Sequence, residues 1–153
     1  MLNVAFYKSP IGILKITSSD YSLKKIELVK RMEDFDASPF NYRVIQNLEE
    51  YFLGKLNTFN IKIEFPGNSV FEKRVYDNLQ HVLYGQTITY KQLAEKIGSP
   101  NAYRAVANAC AKNPLPLIIP CHRVICSNGQ VGNYNLGGMK NKKYLLDFEK
   151  KNR

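Results

Sequence analysis

One short segment constrains the fold more than any other part of the chain. Residues 113–120, with the sequence NPLPLIIP, carry three prolines within seven positions, and no regular helix can pass through them. Leucine and isoleucine fill most of the other positions, so the segment favours burial. We therefore expect an irregular, buried and conformationally fixed stretch that leads directly into Cys121, His122 and Arg123.

The chain before residue 66 consists of short apolar runs separated by turn residues. Three such runs predict strands, at residues 4–7, 11–17 and 23–29. Residues 41–53 predict a helix that Gly54 ends, and residues 59–65 predict a further strand. Together these elements predict a small α+β unit over residues 1–65.

The chain after residue 66 carries helix signals instead. Ser69 with Glu72, and Thr89 with Gln92, have the spacing of capping boxes, which predict helix starts at residues 70 and 90. A last helix is predicted at residues 139–151.

Ser99 and Pro100 come directly after Gly98, which is predicted to end the helix that begins at residue 90. They are typical of the cap and first turn of a helix, here predicted over residues 101–112. Two short helices around such a turn have the dimensions of a helix-turn-helix. We therefore predict a second, mostly helical unit over residues 66–153.

The formal net charge of +9 is unevenly distributed. Residues 1–71 hold nine lysines and arginines against eight acidic residues, whereas residues 72–153 hold thirteen against five. A basic second half indicates contact with a polyanion. A basic surface also favours solubility, and charge alone leaves both interpretations open.

The three cysteines fit a reducing compartment, because their odd number and spacing do not form a disulfide framework. No apolar run approaches the ~20 residues of a membrane-spanning helix, and the first residues lack the features of a signal peptide. With no Cys-x-x-Cys pair and two histidines, a zinc site is not expected. We expect a metal-free protein inside the cell.

Cys121 is the candidate nucleophile. A cysteine reacts as the thiolate, which needs a base or a positive field nearby, and His122 and Arg123 come directly after it. Adjacent side chains usually point apart, so a water or a tight turn must carry the proton to His122. Glu149 is the candidate that orients the imidazole. From the local residues alone, a buried structural cysteine remains the alternative.

The other cysteines and the C-terminal lysines have simpler interpretations. Cys110 lies within a predicted helix and is expected to be a small core residue. Cys126 is expected to be a bystander, with oxidation together with Cys121 as the alternative. The lysines are expected to form a solvated helix face, with one or two contacting phosphates, and are Lys140, Lys142, Lys143, Lys150 and Lys151.

Several motifs resemble, in order, those of the 6-O-methylguanine-DNA methyltransferases. The sequence IPCHRV at residues 119–124 looks like the active-site motif of that family. The other matches, in chain order, are GQTITY (residues 85–90), RAV (104–106), NP (113–114), VGNY (131–134), and LL with a following glutamate (145–149). The resemblance covers residues 66–150 and extends weakly to the start of the chain.

The resemblance implies a ribonuclease H-like domain at residues 1–65 and a winged helix-turn-helix-like domain at residues 66–153 that binds DNA. It implies that Cys121 accepts a methyl or other alkyl group from 6-O-alkylguanine in double-stranded DNA, once and irreversibly, with the nucleotide flipped out. It further implies a monomer that needs no cofactor, in the cytoplasm with the nucleoid or, in a eukaryote, in the nucleus.

The resemblance also implies a role for each matched residue. His122 activates the thiol through a water, Glu149 holds the imidazole, and Tyr90 donates a proton to the leaving guanine. Arg104 fills the gap in the DNA stack, and Asn113 is the hinge between the helix-turn-helix and the active-site loop. Further DNA contacts are expected from Ala105, Ala107 and Asn108. The substrate pocket is expected to be lined by Tyr134, Asn135 and Val124.

Asn135 and an apparent insertion at Leu136 depart from the pattern of the family, which leaves the size of the accepted alkyl group open. One alternative function is a non-catalytic protein of the same architecture that binds alkylated DNA or acts as a regulator, although the binding-only relatives replace the cysteine. A second alternative is a cysteine hydrolase, which lacks a recognisable oxyanion loop here.

Overall fold

An antiparallel sheet forms the first unit of the chain, which ends at Glu64. The computed structural model describes residues 2–153. The strands are β1 (Asn3–Ser9), β2 (Gly12–Ser18) and β3 (Leu23–Val29), paired in the order β1-β2-β3. Ala5 lies opposite Ile16, and Ile16 lies opposite Ile26, and all three side chains are buried. One face of the sheet therefore forms a core.

The helix α1 (Pro39–Phe52) packs against β1 and β2. Its start is fixed by Ser38, whose hydroxyl accepts a hydrogen bond from the Asn41 backbone N–H at 3.1 Å. The helix begins two residues earlier than predicted because Pro39, with its preset φ, fits the first turn. Val44 and Leu48 are buried at 1% and 0% exposure and cover the sheet.

The strand predicted over residues 59–65 is wrong. This segment pairs with the sheet only at Ile63, which forms a parallel bridge to Leu23. The Leu23 N–H donates to the Lys62 carbonyl at 2.9 Å, and the Glu64 N–H donates to the Leu23 carbonyl at 2.8 Å. Leu23 is the first residue of β3, so the segment meets the strand only at its end and no ladder forms.

The second unit begins at Phe65 and is mostly helical. Its helices are α2 (Val70–Leu79), α3 (Tyr90–Lys96), α4 (Tyr103–Ala111) and α5 (Gly138–Asn152). Two short strands, β4 (Ile88–Thr89) and β5 (Val124–Ile125), pair in parallel. The α+β class predicted from the sequence is confirmed. No helix within residues 2–153 combines the length and the apolar character needed to cross a bilayer.

The Thr89 capping box forms in full. The Gln92 N–H donates to the Thr89 hydroxyl at 3.0 Å, and the Thr89 N–H donates to the Gln92 side-chain oxygen at 2.9 Å. At Ser69 only half of the box forms, because the Glu72 carboxylate accepts from the Asn68 N–H at 2.9 Å instead. The full box at Thr89 makes Tyr90 the first residue of α3.

The helix start predicted at Ser99 and Pro100 is wrong. These residues belong to a turn in which the Ala102 N–H donates to the Ser99 carbonyl at 2.9 Å, and α4 begins only at Tyr103. Proline has the φ that the second position of such a turn requires, which explains the composition. Ser99 and Pro100 therefore form the turn between α3 and α4 rather than the first turn of α4.

Candidate active site

The segment at residues 113–120 is irregular and buried, as its prolines predict. Leu115 and Ile119 are fully buried, and Asn113 is 2% exposed. The Asn113 amide donates to the Ile119 carbonyl at 2.9 Å and accepts from the Leu115 N–H at 3.0 Å. Leu117 has a φ of 76°, an uncommon conformation for leucine that burial on all sides maintains. One asparagine thus ties together the two ends of the segment.

A single 3-10 turn at Cys121–Arg123 comes next in the chain. The Cys121 N–H donates to the Ile119 carbonyl at 2.8 Å, and the Arg123 N–H donates to the Pro120 carbonyl at 3.0 Å. All three side chains of the turn are buried, His122 completely. The turn therefore places a thiol, an imidazole and a guanidinium inside the second unit, where each needs a polar partner.

Glu149 of α5 is that partner for two of them. Its carboxylate lies 2.7 Å from the His122 Nε2 atom, and it accepts two hydrogen bonds from Arg123, at 2.8 Å from Nε and 3.0 Å from Nη2. The third guanidinium nitrogen, Nη1, donates to the Val82 carbonyl at 2.8 Å. Arg123 and Glu149 thus form a buried ion pair in the bidentate geometry that suits guanidinium and carboxylate.

The charges around His122 make its imidazole a neutral base. Burial would raise the pKa of Glu149, but His122 and Arg123 outweigh it and hold that pKa well below its usual range. Burial lowers the pKa of His122, against the raising effect of Glu149, so the resting imidazole is neutral. Its Nε2–H then donates to Glu149, which leaves the Nδ1 lone pair unpaired by any protein group in residues 2–153.

Cys121 opens onto a cavity of about 510 Å³. The walls include Tyr90 of α3, Arg104 and Asn108 of α4, and Tyr134. Burial raises the pKa of the Cys121 thiol to about 11, and the Asn113 amide and the charge of Lys142 oppose the increase. The thiol is therefore protonated at rest, and the nearby imidazole has to remove its proton before the sulfur can act as a nucleophile.

Two family models cover nearly the whole chain. The model of the 6-O-methylguanine DNA methyltransferase ribonuclease-like domain matches residues 2–65, and that of the DNA binding domain of the same family matches residues 70–151. The chain belongs to the 6-O-methylguanine DNA methyltransferase family. The resemblance noted in the sequence is thereby confirmed.

Full-length relatives agree with this assignment. The chain is 38% identical to the methylated-DNA–protein-cysteine methyltransferase of Methanosarcina barkeri in an alignment of 152 positions that covers 95% of each chain. The crystal structure of the Mycobacterium tuberculosis O6-methylguanine methyltransferase superposes with a TM-score of 0.89 at 31% identity, covering all of this chain and 95% of that one. The crystal structure of Mycobacterium tuberculosis OGT in complex with DNA superposes with a TM-score of 0.86 at 32% identity, covering 99% of this chain and 93% of that one.

Most of the predicted site residues converge on the cavity in front of Cys121. His122 and Glu149 are buried and in contact with each other, and Asn113 is hydrogen-bonded to Ile119 in the segment that precedes Cys121. Ala105 is exposed and does not line the cavity. The predicted residues that line it, besides Cys121, are Tyr90, Arg104, Ala107, Asn108, Tyr134 and Asn135.

Val124 was predicted to line the pocket, and this is wrong. Its side chain is fully buried on β5, where it pairs with Ile88 of β4, and it does not reach the cavity. The extended backbone after the 3-10 turn carries Val124 away from the site and into the core.

Lys142, Cys110 and Cys126 belong to the site, although the sequence predicts simpler roles for them. Lys142, expected on a solvated helix face, is fully buried beside Tyr90. Cys110 is buried as expected, but it also lines the cavity, as does Cys126. A signal for Lys142 was present, because it shares one helix face with Leu145 and Glu149 at spacings of three and seven residues.

Proposed function

We propose that this protein repairs double-stranded DNA by transferring a methyl or other alkyl group from the 6-oxygen of guanine to the sulfur of Cys121. The observation that carries the proposal is that Cys121 lines the cavity and is followed in the same turn by His122, which is buried in contact with Glu149. The Nδ1 atom of His122 takes the thiol proton through a water, and the thiolate displaces the guanine oxygen at the alkyl carbon. Because a thioether is stable, the protein acts once.

Other residues that line the cavity support binding of a flipped nucleotide. Tyr90, whose pKa burial raises, stays protonated and can donate to the leaving guanine. Asn135 donates to the Asn113 carbonyl at 2.8 Å and so fixes the rim of the cavity to the active-site segment. The base must leave the stack to reach Cys121, which costs a few kcal/mol. Arg104 is exposed on α4 and lines the cavity, which supports a role in filling the gap. The small side chains of Ala105 and Ala107 favour close approach of the duplex, and Asn108 can contact it.

The positive charge of the second unit favours binding of DNA. Residues 72–153 hold thirteen lysines and arginines against five acidic residues, a charge that favours phosphate contacts and makes binding salt-dependent. We propose that the protein acts as a monomer wherever the cell keeps its DNA, with the nucleoid in the cytoplasm or in a nucleus. No cofactor is needed for a direct displacement at carbon.

The decisive experiment is incubation with a duplex oligonucleotide that contains one 6-O-methylguanine. We expect one methyl group per protein molecule and no further turnover, with the added mass on the peptide that contains Cys121. Peptide mapping separates this residue from Cys110 and Cys126, which line the same cavity. Repeated turnover, or methylation of either of the other cysteines, would show that the proposed mechanism is wrong.

Arg104→Ala tests the role of α4. We expect transfer from duplex DNA to slow by about 10- to 100-fold, because an inserted side chain offsets part of the unstacking cost of a few kcal/mol. Transfer from the free base 6-O-methylguanine, which needs no flipping, should be unchanged. Lys112→Ala is the matched control, since Lys112 is an exposed cation just after α4. Equal losses on both substrates would contradict the insertion of Arg104.

A further inference from the structure

Tyr134 carries a buried hydroxyl that has no hydrogen-bond partner among residues 2–153. The residue is 8% exposed and lines the same cavity as Cys121. Buried hydroxyl groups in native proteins almost always bond to a protein group or to an ordered water. The Tyr134 hydroxyl therefore needs a partner that residues 2–153 do not supply.

The Nδ1 atom of His122 is a second buried atom of this kind. Glu149 engages the other ring nitrogen, and Nδ1 has no partner within the part of the chain that the structure describes. The rings of His122 and Tyr134 meet edge to face, with their centroids 6.2 Å apart. Two unsatisfied polar atoms thus belong to neighbouring rings, whereas the third such atom in residues 2–153, on Asn41, lies in the first unit.

The backbone around Tyr134 is held in place. The Tyr134 carbonyl accepts from the Gly138 N–H at 2.9 Å, which ties it to the first residue of α5. The next residue, Asn135, donates from its side chain to the Asn113 carbonyl at 2.8 Å. The ring therefore keeps one position against the 3-10 turn, and its hydroxyl stays buried.

The groups around the Tyr134 hydroxyl keep it protonated. Burial raises its pKa well above the usual value, negative charge on Cys121 and Glu149 raises it further, and Arg123 opposes the increase. Among these charges that of Cys121 has the largest effect, which indicates that the hydroxyl lies near the sulfur. The hydroxyl is thus a permanent hydrogen-bond donor beside the thiol and the imidazole.

We propose that Tyr134 is a positioning residue of the proton relay, and that its hydroxyl and the Nδ1 atom of His122 hold one buried water between them. The proposal rests on the alkyl transfer proposed above. A buried water makes about three hydrogen bonds. Here the Cys121 thiol and the Tyr134 hydroxyl donate to the water, and the water donates to Nδ1.

This arrangement sets the direction in which the proton moves. Both lone pairs of the water face donors, so one of its O–H groups points at Nδ1. When the thiol proton passes to the water, a proton of the water passes to Nδ1, which gives a thiolate, an imidazolium and an unchanged water. The Tyr134 hydroxyl keeps its own proton throughout. Without this hydrogen bond the water is free to turn, and the relay is aligned for less of the time.

Tyr134→Phe tests the proposal, because it removes only the hydroxyl. The readout is the rate at which Cys121 displaces iodide from iodoacetamide between pH 5 and pH 10, with peptide mapping to exclude Cys110 and Cys126. We expect the rate at neutral pH to fall by about 10-fold, as for the loss of one hydrogen bond. At high pH the two rates should converge, because hydroxide removes the thiol proton directly. Tyr144→Phe, at an exposed tyrosine of α5, is the matched control and should react normally.

The pH profile separates the relay from packing. The charged groups that face the two rings are the same in both proteins, and are Cys121, Arg123, Lys142 and Glu149. A loss of the same size at every pH would mean that Tyr134 acts through packing alone, and the proposal would be overturned. In a Glu149→Gln background, where the relay is already lost, Tyr134→Phe should have no further effect at neutral pH. An equal loss in both backgrounds would also overturn the proposal.

A DNA substrate distinguishes the relay from a contact with the nucleotide. If Tyr134→Phe reacted normally with iodoacetamide and slowly with a 6-O-methylguanine duplex, the hydroxyl would serve the nucleotide and the proposal would be wrong. Failure of the alkyl-transfer hypothesis is recognised separately, by the absence of a methyl adduct on Cys121 of the unsubstituted protein after incubation with that duplex. The iodoacetamide reaction does not depend on it.

A high-resolution crystal structure of the unsubstituted protein gives a second measurement that needs no variant. We expect a water within hydrogen-bond distance of both the Tyr134 hydroxyl and the Nδ1 atom of His122. A hydroxyl that bonds to a different group would overturn the proposal.

Discussion

Glu149→Gln is expected to slow alkyl transfer by about 10³–10⁴-fold and to lower the free energy of unfolding by about 3–5 kcal/mol. The carboxylate serves two buried partners, His122 at 2.7 Å and Arg123 at 2.8 Å. A glutamine of the same shape can satisfy only one of them. The expected loss of rate therefore comes from the lost contact with His122. The expected loss of stability comes from the lost ion pair with Arg123.

The catalytic part arises from the tautomer of His122. Glu149 accepts from Nε2–H and thereby keeps the lone pair on Nδ1, the atom that no protein group within residues 2–153 occupies. A glutamine that turns its oxygen toward Arg123 presents its amide N–H to Nε2. The imidazole then has to carry its proton on Nδ1, and it can no longer accept one from the Cys121 thiol. The same loss of tautomer control is responsible for the large effect in serine-protease triads.

The stability part arises from an uncompensated charge. Arg123 is 7% exposed, and a neutral glutamine removes its counter-ion, so the buried guanidinium keeps neutral acceptors alone, the glutamine oxygen and the Val82 carbonyl. Since the pKa of Glu149 is held below its unfolded value, its contribution to stability is present above about pH 4.3 and is lost as the pH falls toward the folded value. The Gln variant should lack this part of the acid dependence.

Urea unfolding between pH 3 and pH 7 measures the stability part, and single-turnover kinetics measure the catalytic part. Asp147→Asn is the matched control, since Asp147 lies on the same helix and is exposed. It should change the free energy of unfolding by less than about 1 kcal/mol and leave the rate unchanged. A Glu149→Gln protein that reacts at the normal rate would rule out an orienting role for this carboxylate.

Sequence patterns predicted the local structure correctly where the stabilising contacts join residues that are close together in the chain. The Thr89 capping box and the irregular path of residues 113–120 both depend on neighbours in the sequence, and both have the predicted form. The helix start predicted at Ser99 and Pro100 is wrong because serine followed by proline is as common in a turn as at the start of a helix. Only the contacts that such a segment makes in the folded chain decide between the two.

Long-range contacts set the limit of the sequence prediction. Residues 59–65 alternate apolar and polar side chains as a strand does, but a strand needs a free edge alongside it, and only Leu23 is in reach. The residue type of Lys142 predicts a solvated side chain, whereas Leu145 and Glu149 on the same helix face predict a buried one, and the side chain is buried. Periodicity was the better guide there, because position on a helix decides burial before side-chain chemistry does.

Cys121→Ser is expected to abolish alkyl transfer altogether and to leave binding of alkylated DNA intact. A serine hydroxyl is far less acidic than a thiol, and burial already raises the pKa of the Cys121 thiol against ionisation. His122 is neutral and weakened as a base by burial, which lowers its pKa, so it can assist a thiol but not generate an alkoxide. The flipped base should therefore remain in the cavity beside an unreactive oxygen.

The other cysteines make this a stringent test. Cys110 and Cys126 line the same cavity, so proximity to the substrate alone would allow either to accept the alkyl group. Only Cys121 lies between the Asn113-tied segment and the histidine that Glu149 orients, and burial raises the pKa of Cys110. We therefore expect mass spectrometry to find no alkylated cysteine in Cys121→Ser, and normal transfer in Cys110→Ser and Cys126→Ser. An adduct on Cys126 in the Cys121 variant would mean that the cavity, rather than the His122–Glu149 pair, selects the acceptor sulfur.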